Sequence, residues 1–207
     1  MAVPDWTPPP RADKRIVPSP KFVGAEDVRQ LFSYVGLCLS GWEKMETVLA
    51  KLFQVLCEAP SPAARRAYGT LTSSIGRKDA LKAAATVFCK RNDDSDASDE
   101  LDGLFKAYND AMTYRNDVAH GMMIAEPINK QWCFYIAAPE YTTKKRIVVE
   151  SLDDLLEVTI EQIGHESIYY YRIAELSAIA DRFTQLEAEA MRLLLYLDGK
   201  YTHLEWL

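Results

Sequence analysis

The sequence is poor in the residues that build metal sites and disulfide frameworks. Its 207 residues include three histidines and four cysteines, and no two cysteines form a Cys-x-x-Cys pair. Each cysteine lies among apolar residues, which favours reduced thiols and a reducing compartment such as the cytoplasm. Because the histidines are widely spaced as well, we expect no zinc site of the His/Cys type, and the sequence indicates no other cofactor.

Long apolar runs and an excess of positive charge are also missing. No apolar run approaches the roughly 20 residues that span a membrane, and residues 1–22 contain six prolines where a secretory signal would be apolar. Lys and Arg total 24 against 30 Asp and Glu, which gives a net charge of −6. Cations supply non-specific affinity for nucleic acid. We therefore expect a cytoplasmic protein with no membrane partner. Its negative charge disfavours non-specific binding of nucleic acid but does not exclude a small, local phosphate site.

The apolar residues that are present recur with helical spacing. They predict a long helix at about 25–58 and a second at about 61–91, which two internal glycines weaken or kink. An acidic polar loop at 92–99 then precedes a third helix, which runs from about Asp99 to His120. This order of elements predicts a mainly α-helical fold.

A change of pattern after the third helix predicts a small β-structure. Two β-type runs indicate a hairpin that pairs about 129–138 with 144–150. Helical spacing returns at about 151–198, with a bend near Gly164, and places the three tyrosines at 169–171 on a helix in the core or at an interface.

Two parts of the chain differ in composition. Residues 1–22 are rich in proline, which disfavours helix at the preceding residue, and predict an extended arm. Residues 23–207 predict a single helical domain, an α-helical bundle with a small β-hairpin insertion at about 129–150.

Residues 115–121, Arg-Asn-Asp-Val-Ala-His-Gly and here called the motif segment, are the part of the chain that indicates chemistry. Asn116 and His120 are four residues apart and share a helix face. Arg115 offers planar donors that suit a phosphate, and a histidine can give or take a proton near neutral pH. Gly121 is expected to end the helix in the left-handed conformation. A histidine at the C-terminus of a helix is more often a simple cap than a catalytic residue, and that interpretation stays open.

The motif segment, directly after Tyr114, resembles the signature of the HEPN superfamily (the higher-eukaryote and prokaryote nucleotide-binding domains). In that family an arginine, often followed by a polar residue, precedes a histidine, as Arg115, Asn116 and His120 do here. The segment 41–46 and the apolar residues after it also resemble the first long helix of bacterial HEPN-like proteins. The similarity covers about residues 25–125.

The resemblance implies a helical bundle that dimerises, and a metal-independent endoribonuclease if the site is active. Two copies of the motif would meet at the dimer interface. His120 would activate the ribose 2′-hydroxyl or protonate the leaving 5′-oxygen, and Arg115 would stabilise charge on phosphorus. Many such proteins are toxins with an antitoxin partner or phage-defence effectors. Others are non-catalytic interaction or nucleotide-binding modules, and this alternative remains open.

Supporting roles are implied for Tyr114 and for two acidic residues of the first long helix, Glu43 and Glu46. The resemblance implies that an acidic residue there points toward the motif helix and pairs with Arg115. The spacing of Glu43 and Glu46 alone is equally typical of a solvated face.

Overall fold

The computed structural model describes residues 25–128, 130–137 and 170–202. Three of the predictions fall on other residues: the Pro-rich arm at 1–22, the strand at 144–150 and the bend near Gly164. They lie outside the described part of the chain.

Helices dominate the described residues, and the prediction of a mainly α fold with a small β-hairpin is confirmed. The last helix continues into one π-helical turn at Asp198–Thr202. The α-helices are α1 Ala25–Leu56, α2 Ala63–Gly69, α3 Ser74–Asn92, α4 Ser95–His120 and α5 Ile173–Leu197.

The apolar stripe of α1 shows why periodicity identified this helix. Its buried side chains follow three-, four- and seven-residue steps, as a helix with one face in the core requires. They include Leu31, Cys38, Trp42, Met45, Leu49 and Leu52.

The predicted second helix is divided into α2 and α3. The Thr70 hydroxyl donates to the Ala67 carbonyl across the end of α2, and the Ser73 hydroxyl accepts from the Gly76 amide to cap α3. Short hydroxyl side chains that bond to the backbone favour helix ends over helix interiors. The chain therefore stops and restarts within the run Gly69–Ser73.

Helix α4 begins four residues earlier than predicted, at Ser95. The Asp94 carboxylate accepts from the Ala97 amide at 3.0 Å, which makes Asp94 the N-cap. The predicted acidic loop at 92–99 is thus reduced to Asp93 and Asp94. Several Asp and Ser residues in that run are good caps, so their sequence alone does not determine which one is used.

The sheet differs from the predicted hairpin in its pairing. Among the described residues it has three antiparallel strands in the order β1–β2–β3, which span Met122–Ile128, Gln131–Ala137 and Tyr170–Tyr171. The hairpin therefore occupies 122–137, and β2 pairs with β1 before it in the chain. Pro127, Ala125 and Glu126 are weak strand formers, which hid β1 from a propensity argument. The placement of Tyr170 and Tyr171 on a helix was wrong, because they form β3.

Two compact units divide the chain by contact density. One includes Leu37–Arg115 and 178–202, and the other includes 25–36 and the described residues of Asn116–Ser177. Within the first unit, the Trp42 ring packs against Tyr108 at 5.0 Å and against Phe183 at 5.4 Å, measured between ring centroids. Within the second, the sheet follows the end of α4.

Candidate functional site

The motif segment lies at the C-terminal end of α4. The helix ends at His120 and β1 begins at Met122, so the predicted end of the motif helix is confirmed. Asn116 and His120 are exposed, Arg115 is half-buried and Tyr114 is buried. The structure thus presents an amide and an imidazole to solvent from one face of the last turn, with a guanidinium beside them in the chain.

Gly121 ends the helix for a different reason from the one predicted. It does not adopt the left-handed conformation, and instead lies very close to β2. A Cβ at this position would stand 2.4 Å from Ile136 Cγ2 and 2.8 Å from the Ala137 carbonyl oxygen. The same Cβ would stand 2.5 Å from the Asp117 carbonyl oxygen of α4, so any side chain would overlap both the sheet and the last turn of the helix. The glycine is required by this close approach and not by its φ.

Asp117, inside the motif segment, makes a contact that the sequence did not predict. Its Oδ2 accepts a hydrogen bond of 2.6 Å from the Tyr171 hydroxyl. Tyr171 is buried in β3, which pairs with β2 at Ile136. The run of tyrosines 169–171 carried a signal for a strand, because aromatic residues are enriched in strands, but no signal for the contact with Asp117.

Glu46 is the centre of a buried polar cluster on α1. Its carboxylate accepts hydrogen bonds from Tyr108 at 2.6 Å and from Tyr68 at 3.2 Å. Arg77 Nη1 lies 3.3 Å from the same carboxylate. Burial, together with the negative charge of Glu46, raises the pKa of both tyrosines and keeps their hydroxyls protonated as donors. This cluster explains how a carboxylate is tolerated in the core.

The cation that the structure places beside Glu46 is Arg77 of α3, and the expected pairing with Arg115 stays a prediction. Tyr108 is the α4 residue that bonds to Glu46. It precedes Arg115 by seven residues, which is about 10 Å along a helix. Glu43, one turn before Glu46, is exposed, as the solvated-face interpretation expects.

The cysteines and acidic residues of the described ranges were the remaining candidates for nucleophiles and metal ligands. Cys38, Cys57 and Cys89 form no disulfide, and burial raises the pKa of Cys38 to about 12, which makes it a poor nucleophile. Within the described ranges, no group of three or more His, Cys, Asp or Glu is placed to hold a metal ion. No helix in those ranges is long and apolar enough to cross a membrane.

A cavity of about 370 Å³ lies between α3 and α4, away from the motif segment. Lys82, Lys90 and Asp102 contribute charges of both signs to its walls, and Phe105 contributes an apolar surface. Among the residues of α4 that line the cavity, Phe105 comes last in the chain, and it precedes Arg115 by about 15 Å along the helix. The cavity and the motif segment are therefore separate features.

Comparisons with known proteins do not identify the chain. No protein-family model, no curated protein and no solved structure matches it. Its function is therefore inferred from the side chains at the end of α4 and from the contacts that hold them.

Proposed function

We propose that the protein is a metal-independent endoribonuclease that uses Arg115, Asn116 and His120. The observation that carries the proposal is the joint exposure of Asn116 and His120 on one face of the last turn of α4, next to Arg115 in the chain. The resemblance of this segment to the HEPN signature supports the same chemistry.

The proposed reaction is an internal transfer within RNA. An imidazole takes the proton of a ribose 2′-hydroxyl, the 2′-oxygen forms a bond to phosphorus, and the bond from phosphorus to the 5′-oxygen breaks. An imidazolium gives its proton to that 5′-oxygen. The products are a 2′,3′-cyclic phosphate and a 5′-hydroxyl. Arg115 would stabilise the negative charge that develops on the phosphoryl oxygens, and Asn116 would orient the phosphate or the imidazole.

A homodimer belongs to this proposal. The base must start unprotonated and the acid protonated, which two histidines achieve more easily than one. The second His120 would come from a second copy of the chain. The biological setting we propose is a bacterial cytoplasmic toxin or phage-defence effector, held inactive by an antitoxin protein, and this rests on the resemblance alone.

The test is cleavage of fluorescent single-stranded RNA by the purified protein in EDTA. His120→Ala should lower the rate by roughly a hundred- to ten-thousand-fold, the usual contribution of a general acid or base. Asn116→Ala is compared with Asn109→Ala, which removes the same amide two turns earlier on α4 and should leave the rate unchanged. Products that a kinase labels directly at the 5′ end would agree with the expected 5′-hydroxyl.

Three results would contradict the proposal. Equal activity of wild type and folded His120→Ala would remove His120 from the reaction. Cleavage that EDTA abolishes would assign the activity to a metal-dependent nuclease. A folded wild type that cleaves no RNA but binds a nucleotide or a protein tightly would favour the alternative, a non-catalytic interaction or nucleotide-binding module.

A further inference from the structure

Asp117 and Tyr171 join the last turn of α4 to the sheet. Their hydrogen bond of 2.6 Å links residues 54 positions apart in the sequence. Tyr171 is only 1% exposed, so packing holds its hydroxyl in place. Asp117 precedes His120 by three residues and lies on the same turn. A fixed donor in the sheet therefore restrains the turn that carries the exposed imidazole.

A single residue of β2, Ile136, supports the end of α4 along two routes. Ile136 pairs with Tyr171 in the sheet, and Tyr171 bonds to Asp117. Ile136 also lies directly against Gly121, where a Cβ would approach its Cγ2 to 2.4 Å. The chain is thus attached to the sheet three residues before His120 and again one residue after it.

This double attachment matters because His120 is exposed. An exposed ring is restrained little by packing, so the backbone of the last turn sets the position of the imidazole. The last carbonyls of a helix lack intrahelical partners, and helix ends tend to fray. A displacement of about 1 Å in a reacting group can lower a rate by about a hundred-fold. Any restraint on this turn therefore affects the position of the imidazole and any rate that depends on that position.

We propose that Asp117 and Tyr171 are positioning residues for His120. Their hydrogen bond holds the last turn of α4 in the helix, and the imidazole keeps one place relative to the scissile phosphate. The catalytic consequence rests on the proposed function, whereas the restraint on His120 does not.

Two substitutions test this hydrogen bond with little change in the shape of the side chain. One removes the bond and the other preserves it. Tyr171→Phe removes the donor alone. Asp117→Asn keeps a side-chain oxygen that can accept from Tyr171. Tyr68→Phe is the matched control, because it removes a buried tyrosine hydroxyl that bonds to Glu46 on another helix. All three are compared with wild type by thermal unfolding, to separate loss of stability from loss of position.

The catalytic readout is the division of the effect between kcat and KM for RNA. Tyr171→Phe should lower kcat on the order of ten- to a hundred-fold with little change in KM. Asp117→Asn should retain most of the wild-type kcat, and Tyr68→Phe should retain all of it.

The readout that does not need activity is NMR of the histidine ring. His120→Ala identifies the His120 signal, and amide hydrogen exchange reports on residues 117–121. Tyr171→Phe should shift or broaden the ring signal and speed exchange in this segment, whereas Tyr68→Phe should change neither.

Each result decides one of the two proposals. Unchanged ring signal and exchange in Tyr171→Phe would overturn the positioning role, whether or not RNA is cleaved. An equal fall in kcat in Tyr171→Phe and Tyr68→Phe would overturn it too, because general destabilisation would then explain both. If Tyr171→Phe changes the NMR signal and the exchange but the wild-type protein cleaves no RNA, the restraint on His120 stands and the nuclease proposal fails.

Discussion

Glu43 and Glu46 lie one turn apart on α1, and their surroundings give them different roles. Glu46 is 4% exposed and accepts from two tyrosines beside Arg77, whereas Glu43 faces solvent. Removing the carboxylate from a buried charged cluster leaves the donors around it without their acceptor. The burial of the carboxylate, rather than its position in the sequence, thus determines its contribution to stability.

Glu46→Ala should lower the free energy of unfolding by about 3 kcal/mol, because Arg77 and two tyrosine hydroxyls lose their shared acceptor. Glu43→Ala is the matched control and should stay within about 0.5 kcal/mol of wild type. Urea unfolding at neutral pH measures both. Equal effects of the two substitutions would contradict the assignment of Glu46 to the core cluster.

Gly121→Ala should destabilise the protein by about 1–3 kcal/mol, the usual cost of forcing extra atoms into a packed contact. The new methyl group would overlap Ile136 and the Ala137 carbonyl. Gly36→Ala provides the contrast, because nothing lies within 4 Å of a Cβ there and the residue is inside α1. It should stabilise by about 0.5–1 kcal/mol. Stabilisation by both substitutions would show that the end of α4 does not approach β2 as described.

At the scale of elements, Asp94 connects the start of α4 with the end of α5. It caps α4 and also accepts from Tyr201 at 2.5 Å and from Lys200 at 2.9 Å, both in the π-helical turn. Burial alone would raise the pKa of Asp94, but these hydrogen bonds outweigh it and hold the pKa below its ordinary value. The folded protein therefore favours the ionised carboxylate.

The contribution of Asp94 should depend on pH in a defined direction. Because its folded pKa is below the unfolded one, its stabilisation is complete above the ordinary range of aspartate and is lost as pH falls through the folded pKa. Asp94→Asn should cost about 1–2 kcal/mol at neutral pH. The difference from wild type should shrink at the lowest pH at which the protein stays folded. Asp110→Asn, exposed on the same helix, should have little effect at either pH, and a constant difference for Asp94→Asn would contradict the prediction.

Elements with a regular apolar period were predictable, and those that depend on distant contacts were not. The stripe of α1 and the glycine after His120 identified a long helix and the end of α4. Strand β1 contains a proline and few strand formers, so it becomes a strand only because β2 pairs with it. Tyr170 and Tyr171 likewise gain their conformation from pairing with Ala137 and Ile136.

The features of the candidate site fall into the same two groups, those set by a local pattern and those set by distant contacts. The spacing of Asn116 and His120 predicted a shared face, because that depends on helix geometry alone. The bond between Asp117 and Tyr171 joins residues 54 positions apart, and local patterns carry no information on such a pair. The approach of Arg77 to Glu46 was not predicted for the same reason, since it depends on the packing of α3 against α1.

At the scale of the whole molecule, the proposed chemistry depends on a second copy of the chain. Most soluble homodimers have two-fold symmetry, which places the same residues of both copies at the interface. We expect a two-fold dimer at micromolar concentration, with Arg115, Asn116 and His120 near the interface. Sedimentation velocity measures the association state, and a monomer at this concentration would contradict both the dimer and the composite site.

A mixing experiment then asks whether each site needs both histidines. Wild type and His120→Ala are combined in equal amounts, allowed to exchange subunits, and tested for cleavage of RNA. If both imidazoles act on one phosphodiester, only wild-type dimers are active, and these are about a quarter of the total for random pairing in a two-fold dimer. The activity per dimer should then fall to about that fraction of the wild-type value. A fall to about half would show that each histidine works alone, because activity would follow the number of wild-type subunits rather than the number of wild-type pairs.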